Sequence, residues 1–402
     1  MGFIELLLEL RVVKVLRVLG IDPGTKTFDV VVLEDGVVVA EESIDTATIA
    51  KDPNVLVNTV DKLRADYIVA PSGYGVPITR GNEVLNPRKF AVEILLLSTE
   101  EDIRRGVEAG EVGIWVYDAL AKVVEHLVKT YRDRVLFLPS IILLPTVPTY
   151  RKLNKVDMGT VDKLAATFIA TYNYGQEEGL DYSNINLIVA ELGFGYNAVI
   201  SVSNGKVVDG IGGTYASLGT LTAGSLDLEV VVRVDRWDRW DVFHGGIFYH
   251  TNTFDMNILA KAYEGGEEPL ASMFKGFVES IAKDVARVLI TNPKAEVVLL
   301  TGRHSKVELV KKLLKEFLRD IEILHTQPLK GAVISKEGAQ GYAAIGDGVI
   351  GGFFKDLVKH MGIEEACGTV ADYLTHEKLR GFKERIQNTY KEIVVNPRLC
   401  VE

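Results

Sequence analysis

The sequence predicts an α/β protein made of two related lobes. Its 402 residues are too many for one ordinary domain, and 47% of them are hydrophobic, which is enough for two cores. Strand and helix patterns alternate along most of the chain, which favours an α/β fold over a helix bundle or a β-sandwich. A strand–turn–strand pattern also occurs twice, once in each half.

The elements of the first half follow from short runs of β-branched residues and from helical spacing of apolar residues. Asp35-Gly36 is a strong two-residue hairpin turn. Pro145 and Pro148 break the chain at the predicted end of the first lobe, which spans 1–150. The predicted order is strands over 12–21, 28–34 and 37–42, a helix over 54–64, a strand over 67–71 and a helix over 116–130.

The second half repeats this mixture of elements and is predicted to form a second lobe over 151–354. An insertion over about 211–270 has little periodicity, and 355–402 is a charged, helical tail. The predicted order is a helix over 159–173, strands over 186–191, 197–203 and 206–209, a helix over 272–290, a strand over 296–300, a helix over 305–318, a strand over 321–324 and a helix over 338–349.

The most informative feature is the internal repeat. When Asp22-Pro23-Gly24 is aligned with Glu191-Leu192-Gly193, the hairpin turns Asp35-Gly36 and Asn204-Gly205 coincide as well, without a gap. Each half therefore contains a strand, an acidic residue, a tight glycine loop and a hairpin.

Two such loops facing each other predict a site for the phosphates of ATP. Backbone N–H groups in a glycine turn can approach phosphate oxygens closely, because no Cβ intervenes. A carboxylate at each strand end can hold Mg²⁺ through its water ligands. We therefore expect Mg²⁺ at Asp22 and Glu191, and nucleotide contacts at Gly24, Thr25, Lys26, Gly193 and Gly195.

These residues resemble the acetate/butyrate kinase branch of the actin-like ATPase superfamily, to which sugar kinases and heat-shock chaperones also belong. The resemblance covers most of 15–350 and is carried by Asp22-Pro-Gly-Thr25, by Leu192-Gly-Phe-Gly195 and by Asn204-Gly-Lys-Val-Val-Asp209. The pattern also resembles an archaeal family of unknown function labelled as predicted butyrate kinases. The resemblance implies two ribonuclease H-like lobes with a nucleotide cleft between them, and phosphoryl transfer from Mg-ATP.

The resemblance implies further nucleotide contacts in the second lobe. Gly212, Gly213 and Thr214 form a glycine loop beside the second phosphate motif. The adenosine motif is Leu300-Thr301-Gly302, which places Gly302 and Arg303 on the nucleotide. Ser305 and Glu308 are expected to form a capping box at the start of the next helix. The small residues of 338–344 resemble a helix on which the lobes pack closely.

One departure from the family pattern leaves the acceptor open. Acetate kinases carry a catalytic arginine shortly after the second phosphate motif, where this chain has Thr222-Ala-Gly-Ser225. Arg233, Arg236 and Arg239 are candidates to replace it. The sequence favours a kinase for a short-chain carboxylate, but a sugar or polyol kinase and a nucleotide-switched regulatory ATPase remain as alternatives.

Two further segments carry candidate functional residues. Asp157 lies just before a predicted helix, where it either caps the helix or acts as a general base for a hydroxyl acceptor, so it joins Asp22 and Glu191 as a predicted catalytic residue. Residues 72–75 form a plain turn or a substrate loop. Residues 236–241 contain the tripeptide Arg-Trp-Asp twice in succession. This segment is a substrate lid, a contact between two copies in a homodimer, or a solvated loop.

Charge and cysteine content limit the partners and the location. The formal net charge of −10 argues against a duplex nucleic-acid binder, so we expect a small-molecule substrate. Cys367 and Cys400 are too few for a disulfide framework, which favours a reducing cytoplasm over secretion. Charged residues interrupt the apolar N-terminus, so neither a signal peptide nor a membrane span is expected.

Overall fold

The computed structural model describes residues 15–400 and contains two β-sheets, one in each half of the chain. The first sheet has six strands in the order β3-β2-β1-β4-β6-β5, with β1 at Val18–Pro23, β2 at Thr27–Glu34, β3 at Val37–Asp45, β4 at Tyr67–Val69, β5 at Thr79–Arg80 and β6 at Val135–Phe137. The second has five strands in the order β11-β10-β7-β8-β9, with β7 at Leu187–Leu192, β8 at Asn197–Ser203, β9 at Lys206–Ile211, β10 at Val297–Thr301 and β11 at Glu322–His325.

Helices cover the sheets and connect their strands. A π-helical turn, Phe90–Leu95, follows the short helix α3. The α-helices are α1 (Thr46–Lys51), α2 (Asn54–Leu63), α3 (Pro87–Lys89), α4 (Glu100–Glu108), α5 (Val112–Tyr131), α6 (Thr149–Lys152), α7 (Val161–Glu178), α8 (Leu228–Val231), α9 (Ile247–Thr251), α10 (Met256–Gly265), α11 (Leu270–Leu289), α12 (Glu308–Phe317), α13 (Glu337–Val349), α14 (Lys355–His360) and α15 (Arg380–Ile393).

The internal repeat is a repeat of structure. In each sheet the first strand pairs antiparallel with the second and parallel with a later one: β1 with β2 and β4, and β7 with β8 and β10. Both residues of Asp35-Gly36 and of Asn204-Gly205 have positive φ, as a two-residue hairpin turn requires. The register shifts at Val32/Leu33 and at Ser201/Val202, which are equivalent positions of the repeat, so even the β-bulge occurs twice.

Two helices pack against each other and join the lobes. Helix α7 also contacts β7 and β8, and α13 lies on β1 and β2. Small residues allow this packing: a Cβ on Gly341 would overlap the backbone of Ala165, and a Cβ on Gly20 would lie 2.7 Å from the carbonyl oxygen of Ala339. The close-packed helix that the sequence predicts over 338–349 is therefore present.

The insertion reaches back from the second sheet to helices beside the first. Within it, residues 238–244, which we call the bridging segment, contact α4 and the start of α5. Asp238 pairs with Arg105 at 2.9 Å, and His244 lies 3.2 Å from Glu111. The guanidinium of Arg105 also lies over the ring of Trp240 at 5.4 Å. The bridging segment thus ties the two lobes together at one end of the cleft.

The tail also returns to the first lobe. Helix α15 packs on the π-helical turn, and the backbone N–H of Leu85 donates to the carbonyl of Ile393 at 2.8 Å. Cys367 and Cys400 form a disulfide, helped by a backbone hydrogen bond from Gly368 to Arg398 that brings the two segments together. The two cysteines are therefore paired within the tail, and the cytoplasmic location stays a prediction.

The structure bears on two smaller predictions, which concern the capping box at Ser305 and a membrane span. The capping box is wrong, because Ser305 lies in a 3₁₀ turn, Arg303–Lys306, where its hydroxyl donates to the carbonyl of Gly302 at 2.7 Å, and α12 begins only at Glu308. None of the helices between residues 15 and 400 is long and apolar enough to cross a membrane. The N-terminal apolar stretch up to residue 14, including the predicted start of the first strand, lies outside the described residues.

The disulfide should stabilise the tail against unfolding. It closes a loop with a sequence separation of 33, for which chain entropy alone gives about 3–4 kcal/mol. We expect the Cys367→Ser/Cys400→Ser variant to unfold at lower urea concentration than the wild type, and dithiothreitol to lower the wild-type midpoint to the same value. An unfolding curve of the wild type that does not respond to dithiothreitol would contradict the role of this bond.

Candidate functional site

A cavity of about 580 Å³ lies between the two sheets and is lined by residues of both lobes. Asp22 at the end of β1 and Glu191 at the end of β7 both line it. The two acidic turns of the repeat therefore face one crevice, as two loops that grip a single ligand must.

The cavity brings together nearly all of the residues that the sequence predicts for the site. Gly212 is the exception: it lies behind Asp157, where a Cβ would be 2.6 Å from the carboxylate Oδ1. The predicted residues that line the cavity are Asp22, Gly24, Thr25, Lys26, Asp157, Glu191, Gly193, Gly195, Gly213, Thr214, Gly302 and Arg303.

Each acidic turn is paired with a lysine from one of the two packed helices. Lys336, which precedes the first residue of α13, places Nζ 3.0 Å from Asp22 Oδ2. Lys163, in the first turn of α7, places Nζ 2.5 Å from Glu191 Oε2. The repeat does not identify either lysine, because both lie outside its aligned segments, 22–36 and 191–205.

Burial dominates the electrostatics of the acids. It raises the pKa of Glu191 to about 7, although Lys163 acts in the opposite direction. Burial also raises the pKa of Asp22, again against the effect of Lys336. Asp162 differs: burial would raise its pKa, but Lys163, the Thr160 hydroxyl and Lys336 together lower it. The floor of the cavity is thus a set of desolvated carboxylates that favour additional positive charge.

The site fits Mg²⁺ held through water. Asp22 Oδ1 is buried and accepts no hydrogen bond from a described residue, and buried Glu191 Oε2 contacts only the Lys163 ammonium. Across residues 15–400, no three His, Cys, Asp or Glu side chains converge to hold a metal directly. Mg²⁺ keeps several waters and needs only one or two carboxylates besides phosphate oxygens, so Asp22 and Glu191 would accept from its water ligands. When bound, the ion would neutralise charge on the phosphates.

The glycine turns bring backbone close to the acids. A Cβ on Gly193 would lie 2.8 Å from the carbonyl oxygen of Tyr196 and 3.3 Å from both carboxylate oxygens of Glu191. Gly302 has a φ of +85°, and a Cβ there would lie 2.6 Å from Glu191 Oε1. In the first lobe, the Gly24 N–H donates to the Asp22 carbonyl at 3.0 Å. These turns leave room for phosphate only because side chains are absent.

Asp157 is not a helix cap. The N-cap of α7 is Thr160, and Asp157 Oδ1 accepts instead from the backbone N–H of Gly159 at 2.8 Å. The residue is only 7% exposed, and burial raises its pKa to about 6. A carboxyl group that lines the cavity and titrates near neutrality has the properties of a proton acceptor.

Of the three candidate arginines, Arg239 is the one that reaches the surroundings of the cavity. Its Nη2 donates to the carbonyl of Leu96 at 3.1 Å, to the hydroxyl of Tyr117 at 3.0 Å and to that of Tyr74 at 3.3 Å. The side chains of Arg233 and Arg236 are 78% and 65% exposed. The bridging segment therefore acts as more than a solvated loop, since it delivers Arg239 to one end of the cleft.

This end of the cavity has an apolar wall. The ring of Phe243 meets that of Tyr117 edge to face, with centroids 5.4 Å apart, and Phe243 also packs on Gly113. Apolar residues that line the cavity around them include Leu95, Leu96, Val112, Val116 and Leu120. The cavity thus has a charged region at the glycine turns and an apolar region beside the bridging segment.

The raised pKa of Asp157 should make the protein less stable as pH increases. The folded state holds the proton up to about pH 6, whereas the unfolded chain releases it near 3.8, so stability falls between these values. We expect Asp157→Asn, which keeps the Gly159 hydrogen bond, to be more stable than the wild type by about 3 kcal/mol at pH 8 and by much less at pH 4.

Urea unfolding of both proteins at the two pH values measures this difference. The exposed Asp320→Asn variant is the matched control and should follow the wild type. A stability difference between Asp157→Asn and the wild type that is equal at pH 4 and pH 8 would show that the carboxyl group titrates normally.

The fold is similar to those of solved acyl kinases. A propionate kinase from Francisella tularensis subsp. tularensis SCHU S4 superposes with a TM-score of 0.54 at 13% identity, covering 81% of this chain and 98% of that one. An acetate kinase from Entamoeba histolytica gives a TM-score of 0.51 at 13% identity, covering 75% and 86%. The two-lobed actin-like fold that the resemblance implies is confirmed; identities this low are informative about the fold alone.

Sequence comparison adds a partial relative and a family. A probable butyrate kinase from Clostridium botulinum (strain Alaska E43 / Type E3) is 27% identical over 177 residues, which cover 40% of this chain and 45% of the relative. The chain thus spans less than half the length of the relatives it matches. A family described as "Protein of unknown function (DUF1464)" matches residues 20–376, nearly the whole described chain, and the protein belongs to that family.

Proposed function

We propose that this protein is an ATP-dependent phosphotransferase that moves the γ-phosphoryl group of Mg-ATP to a small carboxylate. The observation that carries the proposal is that the acidic glycine turns of both lobes, with Asp22 and Glu191, face a single cavity. Similarity to the acetate and propionate kinases and to the probable butyrate kinase supports the same reaction class.

The reaction requires positioning and charge more than covalent chemistry. An oxygen of the acceptor carboxylate attacks the γ-phosphorus, the bond to the β–γ bridging oxygen breaks, and ADP leaves with the electron pair. Lys163 and Lys336, beside the two acids, would lie next to the phosphates and stabilise their charge. The carboxylate is already ionised at neutral pH, so no proton has to be removed.

The cavity supports a carboxylate acceptor in two ways. Arg239 places a cation behind Tyr74 and Tyr117, which line the cavity, and a cation there favours an anionic acceptor. The apolar wall around Phe243 is suited to an alkyl body. A hydroxyl acceptor is the second candidate, because Asp157, with its raised pKa of about 6, could accept a hydroxyl proton.

The second glycine turn provides a test of nucleotide binding. We expect Gly193→Val to bind ATP at least about tenfold more weakly than the wild type, because even its Cβ would crowd the Tyr196 carbonyl and the Glu191 carboxylate. Fluorescence titration with a labelled ATP analogue measures the affinity. Gly276→Val is the matched control, since a Cβ at Gly276 meets no atom within 4 Å. Normal ATP affinity in a folded Gly193→Val protein would refute the loop assignment.

The class of acceptor can be identified by testing whether the reaction needs Asp157 as a general base. We expect ADP release with butyrate or propionate, with the acyl phosphate trapped by hydroxylamine, and we expect Asp157→Asn to retain this activity within about threefold, since no base is needed.

A polyol or sugar acceptor gives the opposite result. In that case glycerol or glucose stimulates ADP release, hydroxylamine traps nothing, and Asp157→Asn loses about 10²-fold or more in rate. That outcome would replace the carboxylate assignment with the hydroxyl one. ADP release that responds to neither class of compound would contradict both and favour a nucleotide-switched ATPase.

A further inference from the structure

We propose that the hydroxyl groups of Tyr74 and Tyr117, supported from behind by Arg239, form the subsite that binds the carboxylate of an apolar monocarboxylic acid. The proposal rests on the phosphotransferase function proposed above and names the residues that would hold its acceptor. Both tyrosines line the cavity, whereas Arg239 lies on their far side.

Arg239 is a cation without a counterion. The neighbouring Asp238 pairs with Arg105 and Arg236, at 2.9 and 3.2 Å, so within residues 15–400 Arg239 has no carboxylate partner. Its Nε is fully buried and donates no hydrogen bond to any described residue. An enclosed positive charge that lacks an anion is costly, and an anionic ligand nearby would offset that cost.

The hydroxyl protons of the two tyrosines point away from Arg239. Guanidinium groups only donate, so Tyr74 and Tyr117 use oxygen lone pairs to accept from Arg239 Nη2 at 3.3 and 3.0 Å. Each O–H proton must therefore be directed elsewhere, and neither finds an acceptor in the described part of the protein. Burial raises the pKa of Tyr117 above its ordinary value, so its hydroxyl keeps the proton that it donates.

Together these features make a pair of polarised donors. A hydroxyl oxygen that accepts a hydrogen bond from a cation becomes a stronger donor through its own proton. Two such groups directed into a partly enclosed cavity can bind the two oxygens of one carboxylate. This arrangement differs from a direct arginine clamp, because the charge acts through the tyrosines.

The surroundings indicate the body of the ligand. Val116 and Leu120 flank Tyr117 on α5, and the ring of Phe243 lies against it at 5.4 Å. Leu95 and Leu96 line the cavity beside Tyr74, whose backbone N–H donates to the Leu95 carbonyl at 2.9 Å. This part of the cavity wall is apolar, so it fits the alkyl or aryl body of a monocarboxylate.

The experiment measures ligand binding without nucleotide, so that it does not depend on turnover. Butyrate and phenylacetate are titrated into the wild type and variants by isothermal titration calorimetry, with ADP binding as a second measurement. We expect Tyr117→Phe and Tyr74→Phe each to weaken binding of the tighter acid about tenfold, and the double variant and Arg239→Gln to weaken it more, with ADP affinity unchanged.

The controls separate this role from a structural one. Arg236→Gln removes an exposed arginine of the same insertion, and Tyr150→Phe removes an exposed hydroxyl; both should bind the acid as the wild type does. Thermal unfolding verifies that each variant is folded. If Arg239→Gln does not fold, acid binding by Arg239→Lys and by the two phenylalanine variants tests the subsite instead.

The outcomes distinguish the two proposals. If the wild type binds an acid and the tyrosine variants do not, the subsite is supported, even if no acyl phosphate forms. The absence of acyl phosphate would overturn only the proposed reaction. Equal binding of the acid by the wild type and the Tyr74→Phe/Tyr117→Phe variant would overturn the subsite. So would a wild type that binds ADP but neither acid.

Discussion

The structure of the cleft depends on two ion pairs, in which each acidic turn is neutralised by a lysine at the start of a packed helix. Asp22 and Glu191 are buried at strand ends, where a lone carboxylate would be strongly disfavoured. Lys336 and Lys163 compensate at 3.0 and 2.5 Å. The cost of burying the acids is thereby reduced enough to keep them at the point where a metal and phosphates would be bound.

The ion pairs also explain how the lobes are held in register. The lysines reach the acids because α7 and α13 cross at close range at Gly341 and because α13 lies close on β1 at Gly20. Packing of the two helices, alignment of the acids and shape of the cavity are therefore coupled. A side chain inserted at the helix crossing would displace the charges as well as the core.

Much of this architecture could be predicted from local sequence. The repeated acid, glycine loop and hairpin turn lie close together along the chain in each half, so the pattern is preserved without a gap, and the structure reproduces it down to the β-bulge. The helix over 337–349 could be recognised from its small residues, because they report close packing directly.

The rest depends on contacts between distant segments. Nothing local distinguishes Arg239 from Arg236, since both stand in the same repeated tripeptide; only the docking of the insertion on α4 and α5 separates them. Lys163 and Lys336 could not be found from the repeat, because α7 and α13 lie outside its aligned segments. The pairing of Cys367 with Cys400 likewise depends on how the tail folds back.

The return of the tail to the first lobe has a consequence for how the chain is made. The strand-like pairing at Glu83–Leu85 is completed by Ile393 and Val395, and α15 packs on the π-helical turn, so both depend on residues that follow the second lobe in the chain. The first lobe consequently leaves the ribosome with this surface uncovered, and the surface gains its partner only after the second lobe has been synthesised. A deletion of α15 would thus uncover part of the first lobe.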